Sequence, residues 1–260
     1  MIDDKTKKKI EVMRRAGDLL GKVLQEVLGS VKPGVTEIEL DRLAERLILE
    51  GGGESGFKKV DGYQHTICVS TNDVVVHGIP KDRVLNEGDI IGIDCGVYMD
   101  GFHTDMAETI VVGVTNDESV KQLLRVGKKA MYEGILQAKA GHRVGHISRA
   151  MQETMEGAGY SVVRSLVGHG VGKELHEDPE IPGYLEKEIR RTPLLVPGMT
   201  IAIEAIYNMG HEGVKYDGSD DWTIVSEDGS LAGLFERTIL IGEEGPELIT
   251  RFPGEVLPQA

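Results

Sequence analysis

The stretch Ile91-Gly92-Ile93-Asp94-Cys95-Gly96-Val97-Tyr98-Met99-Asp100-Gly101-Phe102-His103-Thr104-Asp105 reads as two β-strands joined at Met99-Asp100-Gly101. Asp-Gly between apolar runs is a strong hairpin signal, because both residues tolerate the positive φ that a tight turn needs. Asp94 lies in an apolar, β-branched run, where an unpaired carboxylate is costly to bury. Asp105 follows on the returning strand, and a hairpin can bring the two acids together. Like charges that close need a cation or a shared proton. Two unrelated aspartates, one of them near a turn, would read the same way, and this stretch alone leaves both readings open.

A second stretch repeats the pattern. Leu85-Asn86-Glu87-Gly88-Asp89-Ile90-Ile91-Gly92-Ile93-Asp94 parallels Leu195-Val196-Pro197-Gly198-Met199-Thr200-Ile201-Ala202-Ile203-Glu204, and each places a carboxylate six residues after its glycine. The return strands match too: Asp105 precedes Thr109-Ile110-Val111-Val112-Gly113, and Glu236 precedes Thr238-Ile239-Leu240-Ile241-Gly242. Upstream, Lys32-Pro33-Gly34 and Lys139-Ala140-Gly141 each stand before a helical pattern. The chain reads as two related halves, and the spacing predicts that Asp94 superposes on Glu204 and Asp105 on Glu236.

Outward from these hairpins, Ile10 to Leu28 has the apolar period of a helix. Thr36-Glu37-Ile38-Glu39 is a capping box that opens a second helix, ended by Gly51-Gly52-Gly53. His65 to Ser70 and Val74 to His77 read as strands around Asn72-Asp73. Helices follow over about 117–139 and 145–156, then a strand over 161–167. The segment 168–198 is polar, carries Pro179, Pro182, Pro193 and Pro197, and is long enough to be functional rather than a mere connection. Residues 1–9 read as a flexible tail and 253–260 as a second one, around one internally duplicated domain over 10–252.

Composition excludes several classes. The chain has 260 residues, 40% of them hydrophobic, enough for a sizeable core. A net charge of −14 argues against DNA and against broad nucleic-acid binding. Cys68 and Cys95 have no CxxC spacing and suit a reducing compartment. No apolar run is long enough to span a membrane, and no signal-peptide pattern opens the chain. Lys5, Lys7, Lys8 and Lys9 read as a solvated segment, with an RNA or ribosome contact as the weaker alternative.

Gly168-His169-Gly170-Val171-Gly172 follows a strand pattern, and no helix follows it to bind phosphate. His176 lies in Leu175-His176-Glu177-Asp178-Pro179, which is not the HExxH spacing of a thermolysin-like zinc site. His77 stands in Val76-His77-Gly78-Ile79-Pro80. Together with four strand carboxylates, these histidines make an oxygen-rich site with room for one or two imidazoles.

These motifs, with Ile203-Glu204 and Glu236-Arg237-Thr238, resemble type I methionine aminopeptidase over about residues 10–252. The resemblance implies an α+β pita-bread fold, as in creatinase and the aminopeptidases, with duplicated αβ halves around a curved antiparallel sheet. It implies removal of the N-terminal methionine of nascent polypeptides when the next residue is small. It assigns Asp94, Asp105, His169, Glu204 and Glu236 to two divalent metal ions (cobalt, manganese, iron or zinc), with Asp105 and Glu236 bridging and Glu204 also taking a proton. It makes His77 and His176 catalytic and substrate-contacting, and Tyr63, Cys68 and Trp222 the lining of a methionine pocket. A cytoplasmic monomer with a transient ribosome contact is implied as well. Ala205, Arg237 and Leu175 depart from the usual proline, histidine and aromatic residue, and strand alternation turns Arg237 away from the face of Glu236. An Xaa-Pro peptidase of the same fold and a non-catalytic binding protein are the rivals.

Overall fold

The structure, a computed structural model, describes residues 2–258. It is built of four helices and two antiparallel sheets, with the elements in the order α1 (Asp4–Gly29), α2 (Glu37–Glu50), β1 (Glu54–Ser55), β2 (Ile67–Thr71), β3 (Val74–Val76), β4 (Ile90–Met99), β5 (Phe102–Val111), α3 (Glu118–Gln137), α4 (Val144–Gly157), β6 (Ser161–Val162), β7 (Gly168–Gly170), β8 (Glu177–Ile181), β9 (Thr200–Asn208), β10 (Val214–Tyr216), β11 (Ile224–Ser226), β12 (Ala232–Ile241) and β13 (Pro246–Leu248). The large sheet runs β1-β4-β5-β12-β9-β7-β8, with β2 on β4, β6 on β9 and β13 on β12; β10, β11 and β3 form the small one.

The hairpin turn forms as its sequence dictates. Met99 pairs with Phe102, and the two loop residues Asp100 (φ 46°) and Gly101 (φ 92°) take the left-handed geometry of a two-residue turn. Period-two alternation then sorts the strands. Ile91, Ile93, Cys95, Val97 and Met106 pack under α1 and α2 with Leu20, Leu24, Leu40 and Ile48. Ile201, Ile203, Ala205, Tyr207, Phe235 and Ile239 pack under α3 and α4 with Leu123, Met131, Ile147 and Met151. All four helices therefore cover one face, and the residues between these positions, Asp94, Glu204 and Glu236 among them, face the other.

The seam between halves is the β5–β12 pair, where Glu236 stands opposite Ala107 and Arg237 opposite Met106. Asp94 also pairs with Ala107, and Glu204 pairs with Glu236. Cys68, Asp94, Ala107, Glu236 and Glu204 thus form one row across five strands. The expected superposition needs a correction here. Laying Asp94 on Glu204 brings Ala107, not Asp105, onto Glu236, because Asp105 pairs with Gly96, two residues along the strand. Sequence spacing counts residues from the glycine and does not see this shift in pairing.

Other boundaries differ as well. Residues 4–9 are not a tail: Asp3 accepts the Thr6 N–H at 2.8 Å and caps α1, which begins at Asp4 rather than at Ile10 where the apolar period starts. The C-terminal segment is anchored at least through Glu255, which accepts from Arg237 at 3.0 Å; residues 259 and 260 lie outside the described residues. The strand expected over 161–167 is confined to β6 at its start, and the long segment after it contributes β7 and β8 to the sheet. Among the described residues, no helix is long and apolar enough to cross a membrane.

Candidate active site

Asp94, Asp105, Glu204 and Glu236 reach one cavity of about 90 Å³, lined also by His77, His169, His176, Tyr63, Cys68, Trp222, Phe57, Val60 and Leu175. All ten residues singled out from the sequence are therefore brought together. Phe57 and Val60 were not anticipated, because they belong to or border a short 3-10 turn with no apolar period to show them. A larger groove of about 470 Å³ between α4 and residues 178–193 holds none of this cluster.

Two rows of the sheet supply the polar floor. The first is the row of Asp94, Glu236 and Glu204. The second starts at Asp105, whose N–H donates to Thr238 Oγ1 at 2.9 Å and whose carbonyl accepts that hydroxyl at 2.9 Å; Ala202 pairs with Thr238 on one side and with His169 on the other. One ligand atom each from Asp105, His169 and Glu236 lie within 4.8 Å of one another. His169 Nε2 is 3.5 Å from Glu204 Oε1 and 3.9 Å from Asp105 Oδ2.

The glycines around His169 serve close packing of strands. A Cβ at Gly168 would lie 2.4 Å from the Ala202 carbonyl oxygen, and one at Gly170 would lie 2.3 Å from that of Asp178. Only bare backbone lets β7 slot between its neighbours and present the imidazole. His169 Nδ1 donates to the Gly170 carbonyl at 2.8 Å, which fixes the tautomer and leaves the Nε2 lone pair toward the carboxylates. His77 reaches the cavity from a left-handed backbone (φ 56°), strain of the kind that sites retain when their surroundings enforce it.

Electrostatics show what the cluster lacks. Burial, then the charges of Asp105 and Glu204, hold Asp94 well above the usual carboxylate range. Burial and neighbouring acids raise Glu204 and Glu236 likewise, and burial pushes Asp105 up to about 7. Burial drives His169 and His77 down to about 4 and lowers His176. Asp94 Oδ1 and Glu236 Oε1 are buried and accept no hydrogen bond among the described residues. Orphaned acceptors in a native interior call for an explanation. Divalent cations fit this donor set: four carboxylates and one oriented imidazole are hard ligands with charge to match.

The substitutions at the departing positions leave this floor intact. Ala205 faces the helices beside Phe235. Arg237 is fully buried on the same side, where it pairs with Glu108 at 2.8 Å and Glu255 at 3.0 Å and donates to the carbonyls of Ala107 and Glu236. Leu175 packs with Phe57, Tyr63 and Cys68 in the cavity wall.

Comparison with known proteins places this geometry. Residues 11–243 match the metallopeptidase family M24. The methionine aminopeptidase of Clostridium acetobutylicum is 45% identical over 251 residues, 96% of this chain and 99% of the relative. Methionine aminopeptidase 1 of Bacillus subtilis is 44% identical, covering 96% and 100%. The crystal structure of the Thermotoga maritima methionine aminopeptidase superposes with a TM-score of 0.91 at 41% identity, over 96% of this chain and 100% of that one. The prolidase of Pyrococcus furiosus superposes at 0.75 with 22% identity, covering 95% of this chain and 65% of that one, a likeness of fold alone. The fold is thus the pita-bread fold, and the chain belongs to metallopeptidase family M24, in its methionine aminopeptidase group.

Proposed function

We propose that the chain hydrolyses the peptide bond after an N-terminal methionine when the next residue is small, and that Asp94, Asp105, His169, Glu204 and Glu236 would hold two divalent cations. The observation that carries the reading is one cavity in which a floor of buried acids and an imidazole meets a wall of Tyr63, Cys68, Leu175, Phe57 and Trp222. The bound ions would supply Lewis acidity toward the scissile carbonyl and acidify a water.

This chain's own groups have distinct tasks. Glu204, whose carboxylate is raised by burial, takes the proton of the attacking water. His77 and His176, kept neutral at pH 7 by burial, donate hydrogen bonds to the oxygen that gains negative charge. The apolar wall, with an aromatic and a sulfur lining, receives an unbranched thioether side chain and excludes water from it. Crowding by His77 favours a small second residue, since a misplaced carbonyl loses about a hundredfold in rate. The substrates are nascent or released polypeptides in the cytoplasm, met by a monomer with at most transient ribosome contact. That last reading rests on the acidic net charge of −14 and on a reducing compartment for two free, buried cysteines.

The test is kcat/KM for Met-Ala-Ser, Met-Leu-Ser, Ala-Ala-Ser and Met-Pro-Ser in one metal. Met-Ala-Ser should lead, with Met-Leu-Ser and Ala-Ala-Ser far behind. A strict requirement for proline in second place would assign the Xaa-Pro activity instead.

A further inference from the structure

Trp222 is the only tryptophan in the chain and half-buried in the cavity wall, edge-on to Tyr63 with 5.1 Å between ring centroids. It sits in a loop, so no strand or helix ladder holds it. Asp220 does. Asp220 Oδ1 accepts the N–H of Trp222 at 2.9 Å and of Thr223 at 2.6 Å, and Oδ2 accepts the Thr223 hydroxyl at 2.8 Å. The loop closes on itself where the Asp217 N–H donates to the Thr223 carbonyl at 2.9 Å.

The same cluster grips the segment that presents His77. The Ile79 N–H donates to Thr223 Oγ1 at 3.2 Å. Lys81 Nζ lies 3.4 Å from Asp220 Oδ2 and 3.6 Å from Asp217 Oδ2, and donates to Ser219 Oγ at 2.9 Å. Two loops distant in sequence, one carrying Trp222 and one carrying His77, are thus tied through one carboxylate. Burial alone would raise that carboxylate, yet the hydrogen bonds from Thr223, Trp222 and Lys81 bring it down to about 2, so it is fully charged near neutral pH. Charge-assisted bonds of this kind are about twice as strong as neutral ones. The Lys81 pairs are partly exposed and contribute less.

We propose that Asp220 is a positioning residue that sets the width of the methionine pocket by fixing Trp222 against Tyr63 and coupling that wall to the His77 loop. The proposal rests on the assignment of this cavity to the methionine side chain. Asp220 touches no substrate; it acts through Trp222.

The single tryptophan makes the claim testable without turnover. Asp220→Ala should shift the emission of Trp222 to longer wavelength and increase its quenching by acrylamide. With Met-Ala-Ser it should raise KM about tenfold, the scale on which an apolar pocket senses one methylene, with kcat changed less than twofold. The preference for Met-Ala-Ser over Phe-Ala-Ser should shrink by a similar factor. Asp220→Asn, which keeps one carbonyl oxygen for the backbone N–H groups, should restore most of both signals. If Asp220→Ala does not fold, as far-UV circular dichroism would show, Thr223→Val removes the hydroxyl shared by Asp220 and Ile79 and carries the same expectations. Unchanged emission, quenching and KM in a folded variant would overturn the proposal. If the parent protein fails to cleave Met-Ala-Ser, the assigned substrate falls, and the fluorescence still decides whether Asp220 holds Trp222.

Discussion

Glu204 and Glu236 stand directly opposite each other on neighbouring antiparallel strands, with both side chains turned into one buried cavity. Like charges in such a pair destabilise a sheet, and Asp94 lies in the same row with Asp105 beside it. The arrangement sacrifices stability of the metal-free chain for a place where cations bind.

Glu236→Gln should therefore have opposite effects with and without metal. It removes one repelling carboxylate, so the metal-free protein should unfold at a higher temperature than its parent. It also removes a ligand, so metal affinity should fall by more than the about 10–100-fold typical of losing an outer-sphere partner. Asp105→Asn should behave alike. Thermal unfolding and calorimetric titration check both signs, and undiminished affinity would remove either residue from the ligand set.

Asp105, raised to about 7 by burial, sets a pH dependence for the metal-free protein. Its folded value exceeds that of the unfolded chain, about 3.9. The folded form thus keeps a proton that the unfolded chain has released, and this contribution to stability is complete below about pH 4 and lost as pH rises through about 7. The metal-free protein should weaken over that window relative to the metal-loaded one. Metal binding near pH 6.5 should release protons, read as a dependence of the binding enthalpy on the buffer; identical enthalpies in phosphate and Tris would contradict the sign.

His176 lines the cavity and packs edge-on against His169, with 4.4 Å between ring centroids. His176→Ala should keep its metal and lose about 10²–10³-fold in kcat, the usual effect of losing an oxyanion donor. Loss of both metals from this variant would make His176 a ligand.

Arg237→Leu should destabilise the fold by about 3–5 kcal/mol, because it leaves Glu108 a buried carboxylate with only Lys128 at 2.6 Å to answer it. Arg237→His should also destabilise, since an imidazole cannot serve Glu108, Glu255 and two carbonyls at once. Urea unfolding measures both. A stability-neutral Arg237→Leu would show that the ion network contributes nothing net.

Much of this site was legible because its chemistry is local. Asp100-Gly101 announced the first hairpin, Thr36 and Glu39 formed their capping box, and a carboxylate inside an apolar strand flagged Asp94 before any contact was known. What stayed hidden depends on residues far apart in sequence. The two-residue shift between Asp105 and Glu236 is a property of pairing across the seam. Arg237 finds Glu108 and Glu255 from 129 and 18 positions away. The short strands β8, β10 and β13 have no period to count, and Phe57 joins the pocket wall from a single 3-10 turn.

The central claim is that buried acids and an imidazole hold the metal on which methionine removal depends. The direct measurement is release of free methionine from Met-Ala-Ser by protein stripped of metal and verified as such, then by the same protein after addition of Mn²⁺, Co²⁺ or Fe²⁺. The account predicts no release from the stripped protein and recovery with at least one of these ions. Full activity in the verified metal-free protein would contradict it.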